Sequence, residues 1–334
     1  MNSVQTPLSP PQTACWIVTD GNAGMENQCL GLAEALGVRP IVKRIRLRAP
    51  WNWLPPRLGA LGNPLRRLDP AGDALDPPWP ELLIATGRKT VAVTAAIRRI
   101  SNKTVAVQIQ NPHFPSSAFD LIVAPRHDGL NGGNIICTAG ALHRVTRARL
   151  DKAAEEFRAG LAHLPRPLFA VLIGGPNKVY RMNPSVIERL CAGLRHLTSV
   201  ARCSFAVTPS RRTGEANITA LRQGLKEVPH ILWEGQGANP YFGFLGLADA
   251  VVVTADSVNM ISEAAATGKP VFVFDLPGGS AKFRAFHAGM RESGAVRPFV
   301  PDEILPLESW TPPEIDDTAM VVRAVRRLLI IRNH

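Results

Sequence analysis

The sequence predicts an α/β protein of two Rossmann-like domains facing across a cleft, and three observations carry that expectation. Short β-branched, apolar runs alternate with helical stretches through almost the whole chain, the pattern of a largely parallel sheet covered by helices. The alternation halts at "LPRPLFAVLIGG", where two prolines precede a new buried run, and then restarts. A length of 334 residues, 46% of them hydrophobic, is enough for two cored domains of ordinary size.

In chain order, residues 1–12 contain three prolines and little apolar content and read as a frayed tail. The first domain, 13–165, is expected to hold strands at 15–19, 41–47, 82–85, 104–109, 121–124 and 135–137, with helices at 25–36, 89–100 and 146–161. The second, 166–312, should hold strands at 169–173, 204–208, 229–232, 250–253 and 270–274, with helices at 184–197, 214–224, 241–247 and 258–267. Residues 313–334 contain a last helix, 317–331, expected to cross back to the first domain.

Composition excludes several classes. The longest apolar run falls short of the about 20 residues that a membrane span needs, and the N-terminus lacks a charged start followed by an apolar core, so a cytoplasmic protein is expected, peripheral at the inner face of the membrane. Five cysteines, an odd number with no C-x-x-C pair, suggest neither a disulfide framework nor a zinc site. The net charge of +11 favours an anionic partner. Between residues 39 and 67 stand eight basic side chains and no acidic one. In that segment Trp51 and Trp53 are interleaved with Arg57, Arg66 and Arg67, a mixture suited to an anionic membrane surface, or else to packing with solvated arginines. Nucleic acid is not expected, because no RNA- or DNA-binding signature accompanies the charge and aromatic residues make up only 6% of the chain.

Ligands of doubly wound sheets bind in the loops beyond the carboxyl ends of the strands. After the first strand comes "TDGNAGMENQ", a tight turn into a helix that does not match the G-x-G-x-x-G fingerprint, so a nicotinamide dehydrogenase is not expected. In the second half "IGGPNKVYRMNP" offers Gly174, Gly175, Asn177 and Lys178, and "TPSRRTG" offers Ser210, Arg211 and Arg212, an oxyanion cradle at a strand-to-helix turn. In "VVVTADSVNMISEAAATGKPVFVFD", Asp256 or Ser257 can cap a helix on which Asn259, Ser262 and Glu263 share one face. Such a cluster can hold a diphosphate on N–H groups and hydroxyls, leaving Glu263 to accept hydrogen bonds from a ribose diol.

The motifs "DSVNMISEAAATGKPV", "TDGNAGMENQ", "ATGRKT", "QIQNP", "PRHD", "IGGPNK" and "TPSRRT" resemble the ELM-type mitochondrial fission protein family, whose bacterial members are labelled predicted nucleoside-diphosphate-sugar epimerases. More distantly, the two-domain plan and the Glu263 helix resemble GT-B glycosyltransferases, the class that includes the lipid-linked peptidoglycan and lipid A disaccharide enzymes. That resemblance implies a nucleotide-sugar domain second and an acceptor domain first. It assigns donor contacts to Gly174, Gly175, Asn177, Lys178, Ser210, Arg211, Arg212, Ser257, Asn259, Ser262 and Glu263. One departure is that Asp275 stands where well-studied members have a second glutamate.

The expected function is a metal-independent glycosyl transfer from a nucleoside-diphosphate sugar, used as substrate and not as cofactor, to a membrane-associated or lipid-linked acceptor. The alternatives are an epimerase on the same fold and a non-catalytic membrane-associated adaptor. No D-x-D pair ends a strand, and Asp316-Asp317 reads as a helix cap, so a metal-held diphosphate is not expected. The first domain offers three candidates for the base: His113, ranked first because Pro112 and Phe114 flank it, then Asp20 and His127.

Overall fold

The computed structural model describes residues 13–301, 303, 310–313, 315 and 317–333, so the tail expected over 1–12 and the capping role expected of Asp316 lie outside the described residues. The chain divides into two compact units, Met1–Arg144 with Asp316–His334, and Val145–Ile315. In the first unit the elements are β1 (Cys15–Thr19), α1 (Ala23–Leu36), β2 (Pro40–Arg44), α2 (Pro56–Gly59), β3 (Leu82–Thr86), α3 (Val91–Ile100), β4 (Val105–Ile109), β5 (Leu121–Pro125) and β6 (Ile135–Thr138). In the second they are α4 (Arg147–Leu161), β7 (Leu168–Ile173), α5 (Pro184–Ala201), β8 (Ser204–Pro209), α6 (Glu215–Gly224), β9 (His230–Leu232), α7 (Tyr241–Leu247), β10 (Ala250–Thr254), α8 (Val258–Ala265), β11 (Val271–Phe274), α9 (Ala281–Glu292) and β12 (Arg297–Pro298). Helix α10 (Asp317–Asn333) returns to the first unit.

The first sheet has six parallel strands in the order β2-β1-β3-β4-β5-β6. Its inner strands are buried on both faces and apolar apart from Gln108 of β4 and the threonines at the ends of β1 and β3, as suits a parallel sheet between two helix layers. Alternate residues serve opposite layers. Cys15, Ile17, Leu82 and Ile84 join Cys29 and Leu32 of α1 and Val321, Val322 and Val325 of α10, whereas Trp16, Val18, Leu83 and Ala85 meet Val93 and Ile97 of α3.

Polar clamps fasten α10. Asp317 does more than start the helix, since its Oδ2 accepts the Gly140 N–H at 2.9 Å. At the other end Arg332 donates to Asn102 O at 2.8 Å and to the carboxylate of Asp120. Asp120 also takes Arg98 at 3.0 Å and the Ala106 N–H at 2.8 Å.

The second sheet is again six-stranded and parallel, in the order β12-β11-β10-β7-β8-β9. Two differences from expectation arise here. The chain passes between units at Arg144–Val145 and not at residue 165, because α4 buries Leu150, Ala154 and Leu161 in the second core. It lies so close to α7 that a Cβ at Gly243 or Gly246 would collide with Phe157 or with the Leu150 carbonyl. In addition, α9 and β12 were not foreseen. Helix α9 is capped by Ser280, whose hydroxyl accepts the Phe283 N–H, and it buries Phe286, His287 and Met290.

Candidate functional site

In each sheet the strand order reverses once, between β1 and β3 in the first unit and between β7 and β10 in the second. Such switch points open a crevice at the strands' carboxyl ends. In the second unit three loops meet there and are laced together by side chains. Thr254, the last residue of β10, accepts the Gly174 N–H at 2.9 Å and donates to Asp256 Oδ1 at 2.7 Å. Asp256 Oδ2 takes the Gly175 N–H at 2.9 Å and Arg212 Nη2 at 2.7 Å. Arg212 Nη1 continues to the carbonyls of Gly175 at 2.8 Å and Pro176 at 3.2 Å. Ser210 and Thr213 donate to the Gly174 carbonyl at 2.7 and 2.5 Å. Asn177 donates to the Asp256 carbonyl at 3.4 Å and accepts from Val179 and Tyr180.

The Asp256 side chain is 0% exposed, and Arg212 and these donors surround its carboxylate. A Cβ at Gly174 would strike that carboxylate, and one at Gly175 would strike the backbone of Arg212. Both glycines are therefore demanded by this knot whether or not a ligand approaches them. The structure brings Gly174, Gly175, Asn177, Ser210 and Arg212 together, but their partners are one another, Asp256, Thr254, Thr213 and the adjoining backbone of Pro176, Val179 and Tyr180. Lys178 and Arg211 differ: both are exposed, and neither forms a hydrogen bond or ion pair among the described residues.

Helix α8 starts at the β7/β10 switch point. Ser257 caps it, accepting the Met260 N–H at 3.3 Å, and Ser262 donates to the Val258 carbonyl at 2.8 Å. Asn259 is half-buried on the same helix. One turn in, Glu263 is buried and accepts the Tyr241 hydroxyl at 2.6 Å. Burial pushes the Tyr241 phenol well up, and the Glu263 charge and hydrogen bond add to the shift, so Tyr241 stays a donor. Beside this cluster the Tyr180 hydroxyl meets His287 Nε2 at 3.3 Å, and the same nitrogen lies 3.0 Å from the Ala255 carbonyl. Burial pulls His287 below its ordinary value.

Sequence reasoning missed Tyr241, Tyr180 and His287, and it took Asp256 for a cap. The available signal for Asp256 was an acid two residues past the end of one buried strand and a pair of arginines beginning two residues past the end of another.

In the first unit the three candidate bases stand at strand ends. Asp20 follows β1, with Lys89 Nζ 3.9 Å away. His113 follows β4 in a tight loop, where it and Gln110 adopt φ values of 49° and 70° and its N–H is held by Asn111 Oδ1 at 2.8 Å; its side chain is exposed. His127 lies in a short turn after β5, its side chain buried 3.8 Å from Asp128.

The basic segment divides in two. Trp51 lies under the Arg67 guanidinium, 3.4 Å from the ring centroid, and Arg67 also donates to the Gly59 carbonyl at 2.6 Å and to that of Leu61. Arg88 ties down the carbonyls of Asn52, Trp53 and Leu54 at 2.8–3.0 Å. Trp51 and Arg67 thus serve internal packing, whereas Trp53 is 71% exposed and Leu58, Arg57 and Arg66 of the same segment are exposed as well. Among the described residues no helix is long and apolar enough to cross a membrane.

The fold is GT-B-like. It is similar to UDP-GlcNAc 2-epimerase from Methanocaldococcus jannaschii, with a TM-score of 0.56 at 13% identity, covering 95% of this chain and 99% of that one. It is also similar to MurG from Acinetobacter baumannii, with a TM-score of 0.53 at 12% identity, covering 94% and 99%. By sequence the chain is 31% identical to mitochondrial fission protein ELM1 of Arabidopsis thaliana, covering 95% of this chain and 91% of that protein. The model of the mitochondrial fission ELM1 family matches residues 23–329, which is nearly all of the sequence, and the chain belongs to that family.

Proposed function

We propose that the chain binds a nucleoside-diphosphate sugar at the strand ends of its second unit and transfers the sugar, without a metal ion, to an acceptor at a membrane surface. The observation that carries this reading is the start of α8 at the β7/β10 switch point, with Glu263 one turn inside and Lys178 and Arg211 as exposed cations on the neighbouring loops, unengaged among the described residues. The first turn of a helix directs unsatisfied N–H groups and a positive dipole end outward, which suits a diphosphate. Asp256 would oppose an anion there, and Arg212 cancels that charge. Arg212 therefore acts indirectly, and Arg211 and Lys178 are left to meet the charge that develops on the departing diphosphate. Glu263, oriented by Tyr241, is the acceptor for a ribose diol.

Of the candidate bases in the first unit, His113 is exposed, Asp20 is half-buried and His127 is buried, so they rank in that order. Exposed Trp53, Leu58, Arg57 and Arg66 support a peripheral membrane position for that unit.

Calorimetry with UDP-, GDP-, ADP- and CMP-sugars tests the donor half; UDP-sugars come first because of the epimerase likeness. Turnover is expected to survive EDTA and to fall roughly a hundredfold in His113→Ala, as loss of a general base does. No binding of any nucleotide sugar would leave a non-catalytic adaptor instead. The same likeness supports epimerisation as a second reading. Free nucleoside diphosphate released only when a lipid acceptor is present favours transfer, whereas interconversion of the sugar without an acceptor favours epimerisation.

A further inference from the structure

The outer face of α3 carries a groove of about 490 Å³ that the proposed site does not use. Val91, Val93 and Ile97 of α3 turn to the cores, and the alanines between them, Ala92, Ala95 and Ala96, form the groove floor. Pro64 and Phe114 stand at its sides and Arg98, Arg99 and Arg332 line it as well. Its size falls within the roughly 300–1,000 Å³ of small-molecule sites.

Two features identify an occupant. First, Asp120 engages Arg98 and Arg332, while the Arg99 side chain is exposed and has no hydrogen bond or ion pair among the described residues. One carboxylate against three guanidiniums leaves the groove positively charged. Second, three separate segments each place an exposed aliphatic side chain next to a groove-lining residue: Leu61 (60% exposed) beside Ala60, Ile100 (53%) beside Arg99, and Ile331 (68%) beside Arg332. Large aliphatics exposed on the segments that line a charged groove mark an interaction site.

We infer that this groove takes one acyl chain of an anionic phospholipid, with the phosphate on Arg99 and with Leu61, Ile100 and Ile331 inserted among neighbouring tails. The inference rests on the membrane half of the proposed function and extends it from surface adsorption to capture of a single lipid.

The test is photocrosslinking of the full-length chain to phosphatidylglycerol vesicles in which a fraction of the lipid carries a diazirine acyl chain, with the labelled peptides mapped by mass spectrometry. Labelling is expected on residues 92–99 and around Phe114. Ala95→Phe should fill the floor and abolish that labelling. Arg99→Glu should weaken vesicle binding roughly tenfold at low salt. Thermal unfolding checks that each variant folds; if Ala95→Phe does not, Arg99→Glu still carries the test. Vesicle binding that persists with labelling elsewhere, or labelling on α3 unchanged by either variant, overturns the groove but leaves the Trp53 surface standing. No vesicle binding by the unaltered protein at low salt overturns both and leaves this face to a protein partner.

Discussion

Arg212 holds the fully buried carboxylate of Asp256 at 2.7 Å, and Arg211, its neighbour in the chain, is exposed and unengaged among the described residues. Adjacent residues of one type thus do opposite things, and their substitutions should separate. Arg212→Ala leaves a buried charge with fewer donors and should cost about 2–3 kcal/mol of stability, solvent replacing part of the half-exposed guanidinium. Arg211→Ala should change stability by less than about 0.5 kcal/mol, as an exposed side chain does. Urea unfolding measures both; equal effects would remove the structural role assigned to Arg212.

The same comparison reaches function. Arg211→Ala should weaken nucleotide-sugar binding, measured by calorimetry, by about 1–3 kcal/mol, the scale of a charge-assisted hydrogen bond. Glu263→Gln should do likewise. Tyr241→Phe should cause a smaller loss, because Tyr241 only orients the carboxylate that it donates to. Unchanged affinity in Glu263→Gln excludes Glu263 from ribose recognition.

Asp120 offers a third test. It gathers Arg98, Arg332 and the Ala106 N–H, so Asp120→Ala strips partners from two arginines and should destabilise the first unit by about 2–4 kcal/mol. Hydrogen exchange should show protection lost at Val321, Val322 and Val325 of α10 and retained in β7. Equal loss in both units would mean that Asp120 does not act locally on α10.

A fourth prediction concerns pH. Lys269 donates to the Leu245 and Gly246 carbonyls at 2.6 and 2.7 Å, and burial pulls its ammonium down to about 8. An unfolded lysine keeps its proton to about pH 10.4. Between about pH 8 and that value the unfolded chain binds more protons, so Lys269 makes stability rise with pH across that window. The urea midpoint of the unaltered protein relative to Lys269→Met should therefore climb from pH 8 to pH 10. A flat difference would mean that Lys269 is not depressed in the folded state.

The elements were legible where burial is two-sided, since β7 is wholly apolar and β10 is apolar up to its terminal Thr254. The domain boundary was not, because the apolar positions of α4 announce a buried face without saying whose core receives it, and the glycines that admit α4, Gly243 and Gly246, lie far along the chain. Helix α9 was hidden by the Gly278-Gly279 turn before it and by the basic residues between Phe283, Phe286 and Met290. At the site, Glu263 and its helix could be found from spacing on one face. The Asp256–Arg212 pair could not, because its members lie 44 residues apart and each has an ordinary local explanation.

The return of α10 to the first unit also orders events during synthesis. The second unit is one continuous stretch, Val145–Ile315, and emerges from the ribosome with all its strands, whereas the first emerges early but lacks Val321, Val322 and Val325. The usual N-terminal-first order of domain folding is thereby inverted. A nascent chain stalled just past α9 and β12, with enough linker to clear the tunnel, should present a protease-resistant second unit beside a first unit that is still digestible. Resistance of both would show that the first sheet closes without its last helix.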